Sequence, residues 1–219
     1  MKWLGAALGL SLALLGCANQ PLVPDWQMTA DSTAQRAMAA FLQGHARVEK
    51  LEFERARAAT ARTGDPVLLA RFELLRCAAQ VASLQLGPCA AFEALRPDVG
   101  APERAYADYL AGHIDASQIA LLPAAQQSVA TAAYPAAALQ AITEPLPRLV
   151  AAGVLLHTGR ADQAVMALAT DTASAQGWRR PLLAWLLLQF QRAQAAGAAE
   201  EVARLQRRIV IVESSAAKE

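Results

Sequence analysis

Residues 67–86 read VLLARFELLRCAAQVASLQL. Leu68, Phe72, Leu75, Ala79 and Ala82 recur three or four positions apart, with Arg71 and Arg76 off that line, which is the spacing of an amphipathic helix. Upstream, Val48, Leu51, Phe53, Ala56 and Ala59 mark a second helical segment, and Thr63-Gly64-Asp65-Pro66 stops it. Glycine just past one helix and proline at the first position of the next are the expected end signals. No stretch alternates apolar and polar residues for long enough to build a sheet. The β-branched run at 209–212 reads as the fraying end of a last helix. From Thr33 onward the spacing predicts an all-α fold. Pro97, Gly100 and Pro102 mark one connection, and Pro123, Pro135, Pro145 and Pro147 divide residues 124–149 into short helices. Residues 116–147 are therefore expected to interrupt regular stacking.

Composition agrees with an ordered chain. Of 219 residues, 55% are hydrophobic and 18% charged, with 20 basic against 19 acidic side chains. A disordered chain has few apolar residues and a large net charge. A nucleic-acid binder needs an excess of Lys and Arg to displace counterions from phosphates, and a net charge of +1 supplies none.

The glycines suggest internal order. Phe41-Leu42-Gln43-Gly44-His45 and Tyr109-Leu110-Ala111-Gly112-His113 share one pattern, with their glycines 68 residues apart. Gly159 and Gly197 begin a third and a weaker fourth variant. Here the chain resembles the tetratricopeptide (TPR) family, whose helix pairs repeat about every 34 residues. Small or apolar residues follow at matching positions: Phe53 and Ala56 after Gly44, Ser117, Leu121 and Ala124 after Gly112, Ala164 and Leu168 after Gly159. Glu49 and Asp171 stand where the family has alanine, and the usual Trp and closing Pro are mostly missing. The resemblance implies a TPR-like short α-solenoid of antiparallel helix pairs, each burying its apolar side against a neighbour.

The amino-terminal end carries a different signal. Met1-Lys2 is a short positive start, Trp3 opens an apolar run too short to span a bilayer comfortably, and Leu14-Leu15-Gly16-Cys17 follows. These residues resemble the bacterial lipoprotein signal peptide, which ends in a lipobox with an invariant Cys. The resemblance implies cleavage after Gly16, diacylglycerol on the Cys17 sulfur and an acyl group on its new amine. Two or more acyl chains anchor stably where one would be marginal. In that family Asp after the lipidated Cys retains the protein in the inner membrane. Ala18 stands here, which implies the Gram-negative outer membrane, facing the periplasm. The chain then divides into four segments: signal peptide 1–16, lipidated Cys17 and extended tether 17–31, helical domain 32–212 and flexible tail 213–219. Pro21 and Pro24 support the tether.

Residues able to carry chemistry are sparse. His45, His113 and His157 each sit at or within one turn of a helix-ending glycine, where an imidazole meets the negative end of the helix dipole. No His-x-x-x-His or paired-cysteine spacing suggests a metal, no Gly-x-Ser-x-Gly elbow a hydrolase, and no glycine-rich loop a phosphate. The sequence therefore points to no catalytic residue, metal or cofactor beyond covalent lipid on Cys17. Residues 181–190 are apolar nearly all round, behind Trp178. Such a helix is enclosed or covers part of its surface with another molecule, so Trp178, Trp185 and Phe190 are the candidate surface for a partner or apolar ligand. Cys77 and Cys89 would face the oxidising periplasm and are expected to form a disulfide, which requires the helix to stop near Ser83 and the chain to turn back at Gly87-Pro88; the alternative is two unpaired, buried small hydrophobes with the helix running through Leu86. The expected task is non-enzymatic: binding of a periplasmic or outer-membrane protein in assembly, secretion, pilus or cell-wall machinery. A carrier or sensor of an apolar ligand held between helices is the second reading, and an envelope hydrolase with a dispersed site the third.

Overall fold

The computed structural model describes residues 24–113 and 115–216, so the signal peptide, Gly16 and Cys17 lie outside the described residues. The helices are α1 (Asp25–Gln43), α2 (Ala46–Ala61), α3 (Pro66–Ala82), α4 (Ala90–Glu93), α5 (Ala101–Leu110), α6 (Ala124–Ala130), α7 (Pro135–Ala141), α8 (Pro145–His157), α9 (Gln163–Ala175), α10 (Arg179–Ala195) and α11 (Ala199–Ala216). Short 3-10 turns occupy Arg96–Asp98 and Ala116–Leu121. The described residues are all-α, without strands.

Local chemistry explains most boundaries. Asp65 caps α3 by accepting from the Val67 and Leu68 amides, with Pro66 at the first helical position. Asp162 caps α9 through the Val165 amide. Gly44, Gly112, Gly159 and Gly197 all follow helices at positive φ, where a glycine lets the chain turn and satisfy the last carbonyls. Gly177, between α9 and α10, does the same at φ 64°. Beyond Gly112 the chain forms the second 3-10 turn and two seven-residue helices, α6 and α7, in line with the proline punctuation.

Two segment boundaries need correction. The expected tether through Asp31 is already helical from Asp25. Pro24 precedes the first turn instead of breaking it, Asp25 complements the positive helix end, and Ala30 and Thr33 are buried. The expected tail from Glu213 is likewise helix as far as Ala216. There the Ser214 and Ser215 hydroxyls donate back to the Ile211 and Val212 carbonyls one turn earlier.

Helix α3 is buried on two faces. Phe72 and Ala79 join the smaller core cluster with Ala37, Met38 and Phe41 of α1 and Phe53 of α2. Ala70, Leu74, Cys77, Ala78 and Val81 join the larger cluster with α5, α8, α9 and α10. The predicted single face therefore misplaced Leu75, which is 39% exposed. Contacts also reach beyond neighbouring pairs: α3 packs on α8, α8 on α9, α9 on α10, and α10 returns to α1, which itself touches α3. Trp185 of α10 is fully buried, and its indole Nε1 donates to the Ala82 carbonyl at the end of α3, 3.2 Å away. Leu146 and Trp178 pack against both core clusters and join them.

After α3 the chain reverses through Ser83, Leu84 at φ 59° and Gly87 at φ 152°. That turn brings Cys89 back, and Cys77 and Cys89 form a disulfide with Cα atoms 5.6 Å apart. The helix end and reversal occur where the disulfide expectation required them.

Candidate functional site

A concavity lies between α3, α5 and the end of the second 3-10 turn with the two residues that follow it. It is a groove of about 400 Å³ lined by Arg71, Leu74, Leu75, Pro102, Glu103, Tyr106, Leu121, Leu122 and Pro123. That volume falls in the range of about 300–1,000 Å³ usual for small-molecule sites. Each wall has a local cause. Arg71, Leu74 and Leu75 occupy successive turns of α3. Pro102, Glu103 and Tyr106 share one side of α5 at helical spacing. The third wall is held from both ends: Asp115 accepts from the Ser117 amide and hydroxyl, each at 2.8 Å. At the other end the Gln127 amide donates to the Leu122 carbonyl at 2.7 Å. Those same Ser117 hydrogen bonds, the amide first, hold the Asp115 carboxyl below its usual range.

The base of the groove is tied to the core. Tyr106 stacks on Tyr109, with ring centroids 6.2 Å apart. The buried Tyr109 hydroxyl donates to Gln126 Oε1 at 2.7 Å, and Gln126 Nε2 donates to the Pro147 carbonyl at 3.1 Å. That network connects α5, α6 and the start of α8. Burial raises the pKa of both phenols, so each is a neutral donor across the physiological range. At the rim, Arg71 Nε donates to Glu103 Oε1 at 2.8 Å. Glu103 is buried while the Arg71 side chain is 65% exposed. Leu75 and Leu121 remain partly exposed at the edge. The groove thus offers an apolar bed with a hydroxyl, a guanidinium and an engaged carboxylate beside it.

A second concavity between α2 and α3 is polar. Arg57 pairs with Glu73 at 2.9 Å, and the Arg76 guanidinium lies over the Phe53 ring at 4.8 Å. The outer side of α2 shows a different feature: Val48 and Leu51, one turn apart and about half exposed, lie among exposed Arg47, Lys50, Glu54 and Arg55.

The three aromatic residues expected to form a binding surface are not brought together on one. Trp185 is a core residue, and Trp178 and Phe190 are half-buried against the larger cluster. Half of 181–190 is enclosed, with Pro181, Leu182, Trp185, Leu186 and Gln189 buried, while Leu187 is exposed and the rest are half-buried. Cys17 lies outside the described residues. The histidines stand at helix ends as predicted: His45 before α2, His113 after Gly112, and His157 closing α8 beside Gly112. No group of His, Cys, Asp or Glu among the described residues is arranged to hold a metal ion. No described helix is long and apolar enough to cross a membrane.

Sequence reasoning missed the groove because its walls come from three separate segments of the chain, with Arg71 and its partner Glu103 32 residues apart. One signal was present: Arg71 sits beside an apolar face, and its carboxylate partner opens α5. Comparison with protein-family models, curated proteins and solved structures finds no match to this chain.

Proposed function

We propose that this chain is a lipid-anchored periplasmic binding protein of the outer membrane, non-enzymatic, whose TPR-like helical domain holds a protein partner in an envelope process. The lipobox at Leu14 to Cys17 and Ala18 after it support the anchoring. The recurrent helix, glycine, helix plan at Gly44, Gly159 and Gly197 supports the repeat relationship. The observation that carries protein binding is the outer side of α2. Val48 and Leu51 are solvent-facing aliphatic side chains ringed by charges, the arrangement of an interface centre and its polar rim. α2 packs on α1 and α3, which leaves that side open.

The test is photo-crosslinking in living cells from Leu51, with identification of the captured protein and a Val48→Glu, Leu51→Glu variant. One adduct species that the double variant abolishes, together with the envelope defect of a deletion strain, supports the reading. A wild-type-like envelope in the double variant rejects it.

The groove supports the second reading, a carrier or sensor of an apolar ligand, more directly than the aromatic residues of α10 do. Its volume, apolar walls and rim groups suit a small amphiphile.

A further inference from the structure

We infer that the groove between α3, α5 and the Leu121 to Pro123 segment binds a single-chain amphiphile with a carboxylate head, a long-chain fatty acid. This rests on the apolar-ligand reading and names the ligand class of that site.

The apolar part follows from the lining. Leu74, Leu75, Pro102, Leu121, Leu122 and Pro123 surround one continuous space of about 400 Å³. A flexible acyl chain fills such a bed without polar contacts, and each methylene it buries contributes about 0.8 kcal/mol. The head follows from an imbalance of donors. Arg71 uses Nε on Glu103, and its two terminal amino groups make no hydrogen bond to any described residue. The Tyr106 hydroxyl also has no hydrogen-bond partner among the described residues, whereas its neighbour Tyr109 has Gln126. Glu103 is the one carboxylate in the lining and is already engaged. The groove therefore offers more donors than acceptors, Glu103 Oε2 being its one carboxylate oxygen without a hydrogen bond among the described residues, and a ligand carrying two oxygens on one carbon answers that excess. A guanidinium has five N–H donors and can serve Glu103 and a second carboxylate together. A phenol that burial keeps neutral across the physiological range donates to an ionised carboxylate there.

The test uses the full-length lipoprotein in nanodiscs of zwitterionic lipid, a palmitate analogue with a mid-chain photoreactive diazirine, and mass-spectrometric mapping of the adducts. Adducts on the peptides containing Leu75 and Leu121, displaced by unlabelled palmitate, are expected. Leu121→Glu should lower their yield about tenfold, since at the partly exposed edge it replaces apolar lining with a charge like that of the ligand's head. Tyr106→Phe and Arg71→Gln should each weaken palmitate competition about tenfold, the effect of one charge-assisted hydrogen bond, and leave competition by hexadecanol unchanged. Helical content of each variant by circular dichroism confirms folding. If hexadecanol competes as well as palmitate in the wild type, the groove takes apolar ligands but the carboxylate assignment falls. If adducts are absent from the groove, or persist unchanged in Leu121→Glu, both the assignment and the apolar-ligand reading fall.

Discussion

At Gly153 and Tyr106 single side chains decide matters that neighbouring positions leave open. Gly153 lies inside α8, where glycine normally weakens a helix by about 1 kcal/mol relative to alanine. A methyl group there would lie 2.9 Å from Val81 Cγ1 and closer still to the Val81 carbonyl oxygen. The close approach of α8 to the last turn of α3 therefore requires glycine. Gly153→Ala should destabilise by about 1–3 kcal/mol despite its better propensity, read as a lower urea midpoint with an unchanged slope. An increase in the midpoint would mean that the two helices can separate freely. Tyr106 gives a pH-dependent prediction. Its phenol pKa is raised in the folded state by burial, so the stabilisation is fully present below the unfolded tyrosine value of about 10 and is lost as pH rises toward the folded value. Denaturant midpoints should fall above about pH 10, and Tyr106→Phe should reduce that fall. Neither residue's role was legible in the sequence. Gly153 sat in an apolar run with no turn signal, and Tyr106 belonged to a helix whose partner across the groove is an irregular segment.

The disulfide is an element-scale device. Cys77 lies inside α3 and Cys89 just before α4, a separation of 12 residues. Closing so short a loop in the unfolded chain is worth about 3 kcal/mol on the chain-entropy estimate. It also anchors α4, whose Phe92 is fully buried. Cys77→Ala with Cys89→Ala should lower stability by about 2–3 kcal/mol, and reduction of the wild type should have a similar effect in thermal unfolding. Equal melting temperatures with and without reductant would show that packing alone holds the reversal. Here the sequence was informative: Gly87-Pro88 and the oxidising compartment implied by the lipobox pointed to the same turn. The ends of α1 and α11 were less legible for a physical reason. Pro24 has the same composition signal whether it ends a tether or precedes a helix, and Ser214 and Ser215 look like tail residues until their hydroxyls are seen to serve the helix carbonyls. The repeated glycines identified helix ends correctly, because positive φ is a local requirement. Which helices then meet is a property of distant surfaces.

At the scale of the molecule, two consecutive arginines at the start of α10 add a polar contact between the amino-terminal hairpin, α1 and α2, and the carboxy-terminal half. Arg179 Nε donates to the Gln43 carbonyl at 3.0 Å and its Nη2 to the Gly44 carbonyl at 3.3 Å. It places positive charge at the negative end of α1. Arg180 pairs with Glu49 of α2 at 2.7 Å, and its guanidinium lies 4.0 Å above the Phe41 ring. The partners are more than 130 residues apart in sequence. Without them the hairpin keeps its packing on α3 through Phe53 and Phe72. Arg179→Ala with Arg180→Ala should therefore make local opening of the hairpin easier without detaching it, and leave the body folded. The lost hydrogen bonds and partly exposed ion pair together contribute about 2 kcal/mol. That corresponds to a roughly thirtyfold increase in amide exchange within α1 and α2 if exchange proceeds by local opening, with α8, α9 and α10 close to wild type. Because Arg180 and Glu49 interact directly, a double-mutant cycle with Glu49→Gln should show coupling, whereas Arg179 with Glu49 should be additive. Uniformly faster exchange over the whole chain would instead mean that α1 and α2 unfold only with the body, and that the two core clusters joined at Leu146 and Trp178 act as one cooperative unit.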